Sequence, residues 1–285
     1  MAMILVAGAS GKVGQAVMQE LKHQGFCVRA LARDKAKVDA SVADEIVTAD
    51  ATQPGTLQEV CEGAEAVISA IGGSLQLGRT KGNGGYWEVD YAANKNLLAA
   101  AQTAQVKKFI YVSAFQAEQM KGIAYGEAHA AFEEELRRVG IPYAMIRPTG
   151  IFYIFAEFIK LARKGVMPLI GPGEVRTNPI HERDVAKACV QALSSSQTVF
   201  DLGGPDVFTR RELAEMCFRA VGKSPRFIKY PIGLMRVLIA PVKLFDQRLY
   251  DFLAFGIHAS TTELIAPRTG TNKLDVYLKQ LTAGG

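Results

Sequence analysis

The sequence predicts an α/β fold in which a doubly wound parallel sheet is followed by a smaller, mostly helical lobe. In the first half, short apolar runs typical of strands buried on both faces alternate with stretches of helical periodicity. A glycine-rich turn separates the first apolar run from the first helical stretch. After Pro148 this alternation gives way to mostly helical segments. We therefore divide the chain into a sheet domain, residues 1–150, and a C-terminal lobe, residues 151–285, that returns a few strands to the same sheet.

The first half contains six predicted strands joined by helices. The apolar runs predict strands at 2–7, 26–31, 45–48, 66–70, 108–113 and 143–147. The helical patterns between them fall at 13–22, 55–61, 86–104 and 127–139. This βαβ rhythm predicts parallel strands joined by right-handed crossovers.

The second half predicts helices at 152–164 and 182–193, with a short strand at 198–201 between the latter and the remaining helices. Thr209-Arg210-Arg211-Glu212 has the sequence of a capping box. In that motif the Thr hydroxyl and the Glu carboxylate each accept a hydrogen bond from an otherwise unpaired amide. We therefore expect a helix to begin at residue 210.

Composition and charge indicate a folded enzyme or binding domain rather than a nucleic-acid or metal protein. The net charge of +5 is mild, and one Trp offers little for base stacking, so we expect no nucleic-acid partner. Four scattered Cys and four His form no zinc-like spacing, so we expect no metal site.

The expected compartment is the cytoplasm. The chain runs from Met1 into an apolar strand with no charged leader, and free thiols suit a reducing compartment. The most apolar stretch, residues 231–244, is interrupted by Arg236, Pro241 and Lys243, so we expect no membrane span.

The turn Gly8-Ala9-Ser10-Gly11-Lys12-Val13-Gly14 lies between the first strand and the first helix. Glycines allow a sharp turn and a close approach of the backbone to a pyrophosphate, while a helix N-terminus offers unpaired amides and a positive dipole end. The surrounding βαβ pattern is the context that this motif requires. The predicted binding residues are Gly8, Ser10, Gly11, Lys12, Val13 and Gly14, which makes residues 1–150 a Rossmann domain for a dinucleotide.

The end of the second strand favours NADP(H) over NAD(H). NAD sites usually place an acidic residue there to bind the ribose hydroxyls. In this chain the first charged residue after the strand is Arg33, whose guanidinium we expect to stack on adenine and to bind a 2′-phosphate. Lys12 and Lys35 are expected to lie within reach of the same phosphate. Two alternatives stay open: Asp34 takes the NAD role if the strand ends one residue later, or Arg33 is an ordinary surface residue.

Other predicted cofactor contacts follow the third and fourth strands. Asp50 and Ala51 lie where the adenine ring usually rests, and Ala70, Ile71 and Gly72 lie where the chain passes close to the cofactor. Both loops follow the carboxyl ends of strands, where open α/β sheets bind ligands.

The motifs as a set resemble the short-chain dehydrogenase/reductase superfamily in its atypical, NmrA-like branch. The resemblance covers nearly the whole chain, and residues 200–233 resemble divinyl chlorophyllide 8-vinyl reductases and relatives of the complex I 39-kDa subunit. It is carried by GASGKVG at 8–14, RD at 33–34, ADAT at 49–52, SAIGG at 69–73, VDYAANKNLL at 89–98, KKFIYVSA at 107–114 and EEELRRVGIPYAMIRPTGIF at 133–152.

The resemblance implies a Ser, Tyr and Lys set for redox chemistry, and this chain departs from it. Ser113 matches the serine, and Tyr125 and His129 fall at the tyrosine and lysine positions, so that YxxxH replaces YxxxK. A lysine ammonium is charged at neutral pH, whereas an unperturbed imidazole is mostly neutral and lowers a phenol pKa much less. The three residues are nevertheless the candidate catalytic set.

The resemblance also implies that Asn94 organises the site and that the backbone near Pro148, at the end of the sixth strand, contacts the nicotinamide. The sequence therefore predicts an NADP(H)-dependent reductase acting on a small or medium-sized, apolar organic substrate bound by the C-terminal lobe. The alternative is a non-catalytic NADP(H)-binding sensor or assembly factor, for which the missing Lys is the supporting feature. A nucleotide-sugar epimerase or dehydratase, which needs the full Tyr/Lys pair, ranks last.

Overall fold

A computed structural model describes residues 2–73 and 85–283. The chain divides into two compact units. The first comprises the described parts of Met1–Gly73, Asn83–Pro148 and Glu182–Asp201, and the second comprises those of Thr149–His181 and Leu202–Gly285. Division into a cofactor domain and a substrate lobe at residue 150 stays a prediction.

The first unit is built on a seven-stranded parallel sheet. Its strands are β1 (Met3–Ala7), β2 (Cys27–Ala32), β3 (Glu45–Thr48), β4 (Ala66–Ser69), β5 (Lys108–Val112), β6 (Tyr143–Pro148) and β9 (Val199–Leu202). Their order is β3-β2-β1-β4-β5-β6-β9. The chain therefore winds outward from β1 in one direction and outward from β4 in the other. The carboxyl ends of these two strands form the switch point at which open α/β sheets bind ligands.

Helices cover the sheet and bury its alternate residues. They are α1 (Lys12–His23), α2 (Ala93–Thr103), α3 (Ala124–Arg138) and α5 (Glu182–Ala192). Leu97 of α2 and Phe132 of α3 share a core with Leu5, Phe109 and Tyr111 of the sheet, all of them fully buried. Helices α1 and α5 pack on each other and on strands of the same sheet. The resulting doubly wound α/β fold is Rossmann-like, which confirms the predicted fold class.

Two predicted helices differ from the observed ones. Residues 55–61 contain only one 3₁₀ turn, Pro54–Thr56, because Gly55 and Gly63 bracket a segment too short to sustain an isolated helix. The predicted helix 86–104 begins as a π-helical segment, Trp87–Ala92, and continues as α2. Single π turns inside helices often accompany functional sites.

The second unit contains six helices among its described residues: α4 (Phe155–Lys164), α6 (Arg210–Ala220), α7 (Ile232–Ile239), α8 (Val242–Phe245), α9 (Gln247–Thr261) and α10 (Leu274–Ala283). Its strands pair as β7 (Met167–Ile170) with β11 (Phe227–Tyr230) and β8 (Arg176–Thr177) with β10 (Phe208–Thr209). The core joins α4, α6 and α10 through Phe155, Phe218 and Leu278. The predicted capping box is confirmed, because Thr209 Oγ1 accepts the Glu212 amide and Glu212 accepts the Thr209 amide.

Within residues 2–73 and 85–283, no helix has the length and apolar character needed to cross a membrane.

Candidate functional site

The glycine turn joins β1 to α1 with no space for side chains at two of its glycines. Gly8 has φ +77°, and a Cβ there would lie 2.6 Å from the Ala70 carbonyl oxygen. A Cβ on Gly14 would lie 2.3 Å from the Gly8 carbonyl oxygen. The turn therefore packs directly against the loop after β4 and against the first turn of its own helix. Residues with side chains at these two positions would push the three segments apart.

The first turn of α1 has the character of an anion site. Its N-cap, Gly11, provides no side-chain cap, and the Gly11 amide donates to the Gly8 carbonyl at 2.9 Å. The amides of Lys12, Val13 and Gly14 have no intrahelical acceptors, since they belong to the first turn. Ser10 and Lys12 are exposed beside them. A diphosphate fits this arrangement of amide donors, dipole and cation.

The loop after β2 carries the predicted selectivity residues. Arg33, Asp34, Lys35 and Lys37 are all exposed. The Asp34 carboxylate accepts the Ala36 amide at 3.0 Å and lies 3.4 Å from Lys37 Nζ. Asp34 thus caps its own turn, and the basic side chains lie at the carboxyl end of the strand.

The loop after β3 is held by its own polar groups. Asp50 Oδ1 accepts hydrogen bonds from the Thr52 amide at 3.0 Å and from its hydroxyl at 2.8 Å. Asn96 Nδ2 donates to the Ala51 carbonyl at 2.9 Å. These bonds fix the loop that is predicted to contact adenine.

Asn94 is buried and secures the loop after β4. Its Nδ2 donates to the carbonyls of Ile71 at 3.3 Å and Asp90 at 2.9 Å, and its Oδ1 accepts the Ser69 hydroxyl at 2.5 Å. Asn94 exposes none of its surface. Its side chain thereby fixes the backbone of the predicted contact loop, Ala70-Ile71-Gly72.

Asp90, which the sequence analysis did not single out, lies at the centre of this region. It belongs to the π-helical segment and exposes none of its surface. Both of its carboxylate oxygens accept the Gly73 amide at 3.0 Å, and Oδ1 lies 3.3 Å from His129 Nε2. One buried carboxylate therefore links the loop after β4 to helix α3.

His129 uses both ring nitrogens inside the protein. Its Nδ1 lies 2.5 Å from the Tyr111 hydroxyl oxygen, on the side opposite the Asp90 contact. Burial, together with the nearby Asp90 carboxylate, raises the pKa of Tyr111 well above its usual value, so Tyr111 stays a phenol. With the Tyr111 hydroxyl donating to Nδ1 and Nε2–H donating to Asp90, each of these groups has a hydrogen-bond partner. The residue at the superfamily's lysine position is thus the middle of a buried chain.

Tyr125 contacts His129 through its ring. The two ring centroids are 4.7 Å apart at 75°, and Tyr125 also packs edge-on against Tyr86, with centroids 5.4 Å apart. Tyr125 is half-buried, whereas His129 is buried. Of the two, Tyr125 is the side chain that reaches the surface of the first unit.

Ser113 belongs to a second buried network. Its hydroxyl donates to Glu133 Oε1 at 2.7 Å, and the buried Glu133 carboxylate also accepts Arg147 Nε at 2.8 Å and Arg147 Nη2. The hydrogen bonds that Arg147 donates to Glu133 raise the pKa of the Arg147 guanidinium. The exposed side chain of Arg137 also contacts this carboxylate, with its Nη2 3.3 Å from Glu133 Oε2. Ser113 and His129 therefore form their hydrogen bonds in two separate networks.

Asp201, on the edge strand β9, interacts electrostatically with Arg147 and Glu133 of the same network. Burial raises the pKa of Asp201, and the Arg147 charge opposes that effect in part. Asp201 Oδ1 is buried and has no hydrogen-bond partner among the described residues. Pro148, the predicted nicotinamide contact, is buried at the end of β6, and its carbonyl accepts the Phe115 amide at 3.0 Å.

A large cavity of the first unit is far from this chemistry. It has a volume of about 870 Å³ and is lined by residues such as Ala2, Phe26, Glu65, Lys107 and Lys187. Four of these residues precede strands, so the cavity lies at the amino ends of the sheet. The glycine turn and the residues described above lie at the carboxyl ends, and we take those as the functional site.

Comparison with protein families agrees with a dinucleotide site. A family model described as NAD(P)H-binding matches residues 8–196. The chain is 29% identical to a chloroplastic divinyl chlorophyllide a 8-vinyl-reductase of Cucumis sativus, over 95% of the chain and 71% of that protein. It is 27% identical to a photosystem II assembly factor, Ycf39, of Trieres chinensis, over 89% of the chain and 80% of the relative.

The fold is similar to that of solved NAD(P)-dependent enzymes. An NADPH-dependent quinone oxidoreductase of Escherichia coli, complexed with NADPH, superposes with a TM-score of 0.77 at 22% identity. The match covers 98% of this chain and 99% of the oxidoreductase. A nucleoside-diphosphate-sugar epimerase of Staphylococcus aureus gives a TM-score of 0.71 at 18% identity, over 99% of this chain and 96% of the epimerase.

Proposed function

The chain belongs to the NAD(P)H-binding family, and we propose that it is an NADP(H)-dependent reductase of the atypical short-chain type, acting on an apolar organic substrate. The observation that carries the proposal is the contact of Gly8 and Gly14 with the Ala70 loop and with α1. The turn fits a dinucleotide because only glycine allows this approach and because the amides of α1 face the turn.

The charges after β2 support NADP(H) rather than NAD(H). Asp34, the alternative ribose ligand, is bonded to Ala36 and Lys37. Arg33 and Lys35 remain on the exposed side of the strand end. A 2′-phosphate is a better match for this pair of cations than a diol.

NADPH, when bound, supplies a hydride from its nicotinamide ring. The chain must then orient the substrate and deliver one proton to it. Tyr125 is the candidate proton donor because it is half-buried and its ring contacts His129. His129 in turn contacts Asp90, which holds the loop after β4. His129 acts as a positioning residue that supports the Tyr125 ring, since its nitrogens are bonded to Tyr111 and Asp90.

The replacement of the superfamily's lysine by His129, four residues after Tyr125, favours reduction of an activated C=C bond over reduction of a ketone. In C=C reduction, hydride adds to one carbon and a proton to the other, so the enzyme needs no group that stabilises an alkoxide. Several relatives named as vinyl reductases carry out a reaction of this class. Their substrate is not assigned to this chain.

Steady-state oxidation of NADPH tests the proposal. The purified chain is mixed with NADPH and, separately, with NADH, in the presence of a panel of enones, quinones and simple ketones. We expect turnover with at least one enone or quinone, a preference for NADPH and a large loss in Tyr125→Phe. Glu59→Gln, an exposed change outside the site, serves as the control. Turnover by Tyr125→Phe at the wild-type rate would show that the proton comes from elsewhere.

The second candidate is an NADP(H)-binding sensor or assembly factor. It is favoured by one observation: Ser113 and His129, two of the three candidate catalytic residues, are bonded to internal partners. The photosystem II assembly factors among the relatives are consistent with it. Quenching of NADPH fluorescence with no oxidation by any member of the panel would support this function against the first.

The compartment we propose is the cytoplasm. All four cysteines are free, and three of them are buried. Free thiols persist in reducing compartments.

A further inference from the structure

Helices α7 and α8 of the second unit carry large apolar side chains on their outer surface. Leu234 and Leu238 are about half exposed, and Val237, Leu244 and Phe245 are 70%, 83% and 88% exposed. We call these five residues the apolar patch. Scattered single hydrophobic residues are normal on a protein surface, but five within twelve residues of one segment are characteristic of a binding surface.

Helix α7 is apolar on two faces. Ile232, Met235 and Ile239 lie three and four positions apart on the face that is partly or fully buried. Leu234, Val237 and Leu238 have the same spacing on the other face and are exposed. The fold therefore covers only one of the two apolar faces of α7.

All the charged residues of the segment that carries the patch are basic. Residues 216–245 contain six Lys or Arg and no Asp or Glu: Arg219, Lys223, Arg226, Lys229, Arg236 and Lys243. All six are exposed. Arg236 and Lys243 lie within α7 and α8 themselves, beside the apolar patch.

We propose that the apolar patch and its basic residues bind the surface of a membrane that contains anionic lipids. Leu244 and Phe245 would enter the boundary between headgroups and acyl chains, and Arg236 and Lys243 would contact lipid phosphates. A second copy of this chain fits less well. A symmetric dimer through this face would bring two acid-free basic segments together, and like charges repel.

Vesicle flotation tests the proposal directly. The full chain is mixed with vesicles of phosphatidylcholine alone or of phosphatidylcholine and phosphatidylglycerol in equal parts. We expect binding to the mixed vesicles, little binding to pure phosphatidylcholine, and release by salt, since exposed charges are screened. Leu244→Ser with Phe245→Ser should lower the partition coefficient at least about tenfold. Arg236→Gln and Lys243→Gln should each lower it about fivefold.

Matched variants distinguish binding through this surface from non-specific adsorption of the protein to vesicles. Val276→Ser on α10 removes another side chain that is half exposed, and Lys279→Gln removes an exposed charge of the same helix; both should bind vesicles as the wild type does. NADPH binding should be the same in all variants, which confirms that each is folded. No binding to the mixed vesicles, or equal binding by the Leu244→Ser and Phe245→Ser double variant, would overturn the proposal. So would a dimer in solution that the double variant converts to a monomer, because the patch would then be a subunit interface.

Discussion

The Nδ1 atom of His129 lies 2.5 Å from the hydroxyl oxygen of Tyr111, and both side chains are buried. Tyr111 comes from the interior strand β5 and His129 from helix α3, so this bond ties the sheet to the helix that carries Tyr125. A buried hydroxyl or imidazole left without its partner costs about 1–3 kcal/mol. The pair therefore links the stability of the core to the geometry of the candidate site.

A double-mutant cycle on Tyr111 and His129 should show this coupling. We expect Tyr111→Phe to lower the free energy of unfolding by about 1–3 kcal/mol, because it leaves Nδ1 without a donor. His129→Ala should cost at least as much, and the double variant less than the sum of the two. Urea unfolding measures all three, with Tyr143→Phe, a half-buried tyrosine of β6, as the control. Additive effects would show that the two side chains do not interact.

Gly14→Ala should disrupt the dinucleotide turn. The new Cβ would lie 2.3 Å from the Gly8 carbonyl oxygen, a backbone atom that cannot move without displacing the loop. We expect a cost of about 1–3 kcal/mol in stability and a loss of NADPH affinity of at least about tenfold. Gly55→Ala is the matched control, since nothing lies within 4 Å of its Cβ position. Titration by NADPH fluorescence and thermal unfolding report the two effects, and wild-type affinity in Gly14→Ala would contradict the proposed cradle.

Arg33→Glu should weaken NADP(H) much more than NAD(H). A charge-assisted hydrogen bond to a phosphate contributes about 1.5–3 kcal/mol, which corresponds to a loss of about 10- to 100-fold in NADPH affinity. NADH has no 2′-phosphate, so its affinity should change little. Lys279→Glu, the same reversal of charge on an exposed residue of α10, is the control. Equal weakening of both cofactors would rule out Arg33 as the 2′-phosphate ligand.

The glycine turn and the fold class were predictable because they depend on local sequence. Gly8 and Gly14 are spaced for a strand-to-helix turn, and apolar runs such as 66–70 mark strands buried on both faces. The capping box at Thr209 and Glu212 is also local, since its two partners are three residues apart. Features of this kind are read from neighbouring residues alone.

Asp90 and Glu133 were not predictable in the same way. Glu133 is the first residue of the run Glu133-Glu134-Glu135, which by charge alone predicts a solvated helix face, yet its carboxylate is buried against Arg147 and Ser113. Asp90 lies in a π-helical segment, whose changed periodicity turns it inward. Ser113 and Arg147 lie 20 and 14 residues from Glu133, and His129 lies 39 residues from Asp90. Only the tertiary fold brings these groups together.

The stability gained by replacing Asp201 should depend on pH. Burial raises the pKa of Asp201 above 3.8, so the folded state binds its proton more tightly than the unfolded state does. Ionised Asp201 therefore destabilises the fold above its folded-state pKa, and this penalty disappears as the pH falls toward 3.8. We expect Asp201→Asn to melt at a higher temperature than the wild type at pH 7 and the difference to shrink on acidification. A constant difference at every pH would show that the charge is not responsible, and Glu59→Gln should show no difference at any pH.

Arg210→Met should stabilise the protein although it removes a charged residue. Arg210 begins α6, where the helix dipole disfavours a cation, and its Nε is buried without a hydrogen-bond partner among the described residues. Burial lowers the pKa of Arg210 to about 10, and burial together with the Arg210 charge lowers the pKa of His258. Replacing this partly buried guanidinium, whose Nε has no partner among the described residues, with an apolar side chain of similar length should raise the free energy of unfolding by about 1–3 kcal/mol. Arg219→Gln, on the exposed end of the same helix, should be neutral in the same urea titration. A destabilised Arg210→Met variant would show instead that the guanidinium makes a favourable interaction in the folded chain.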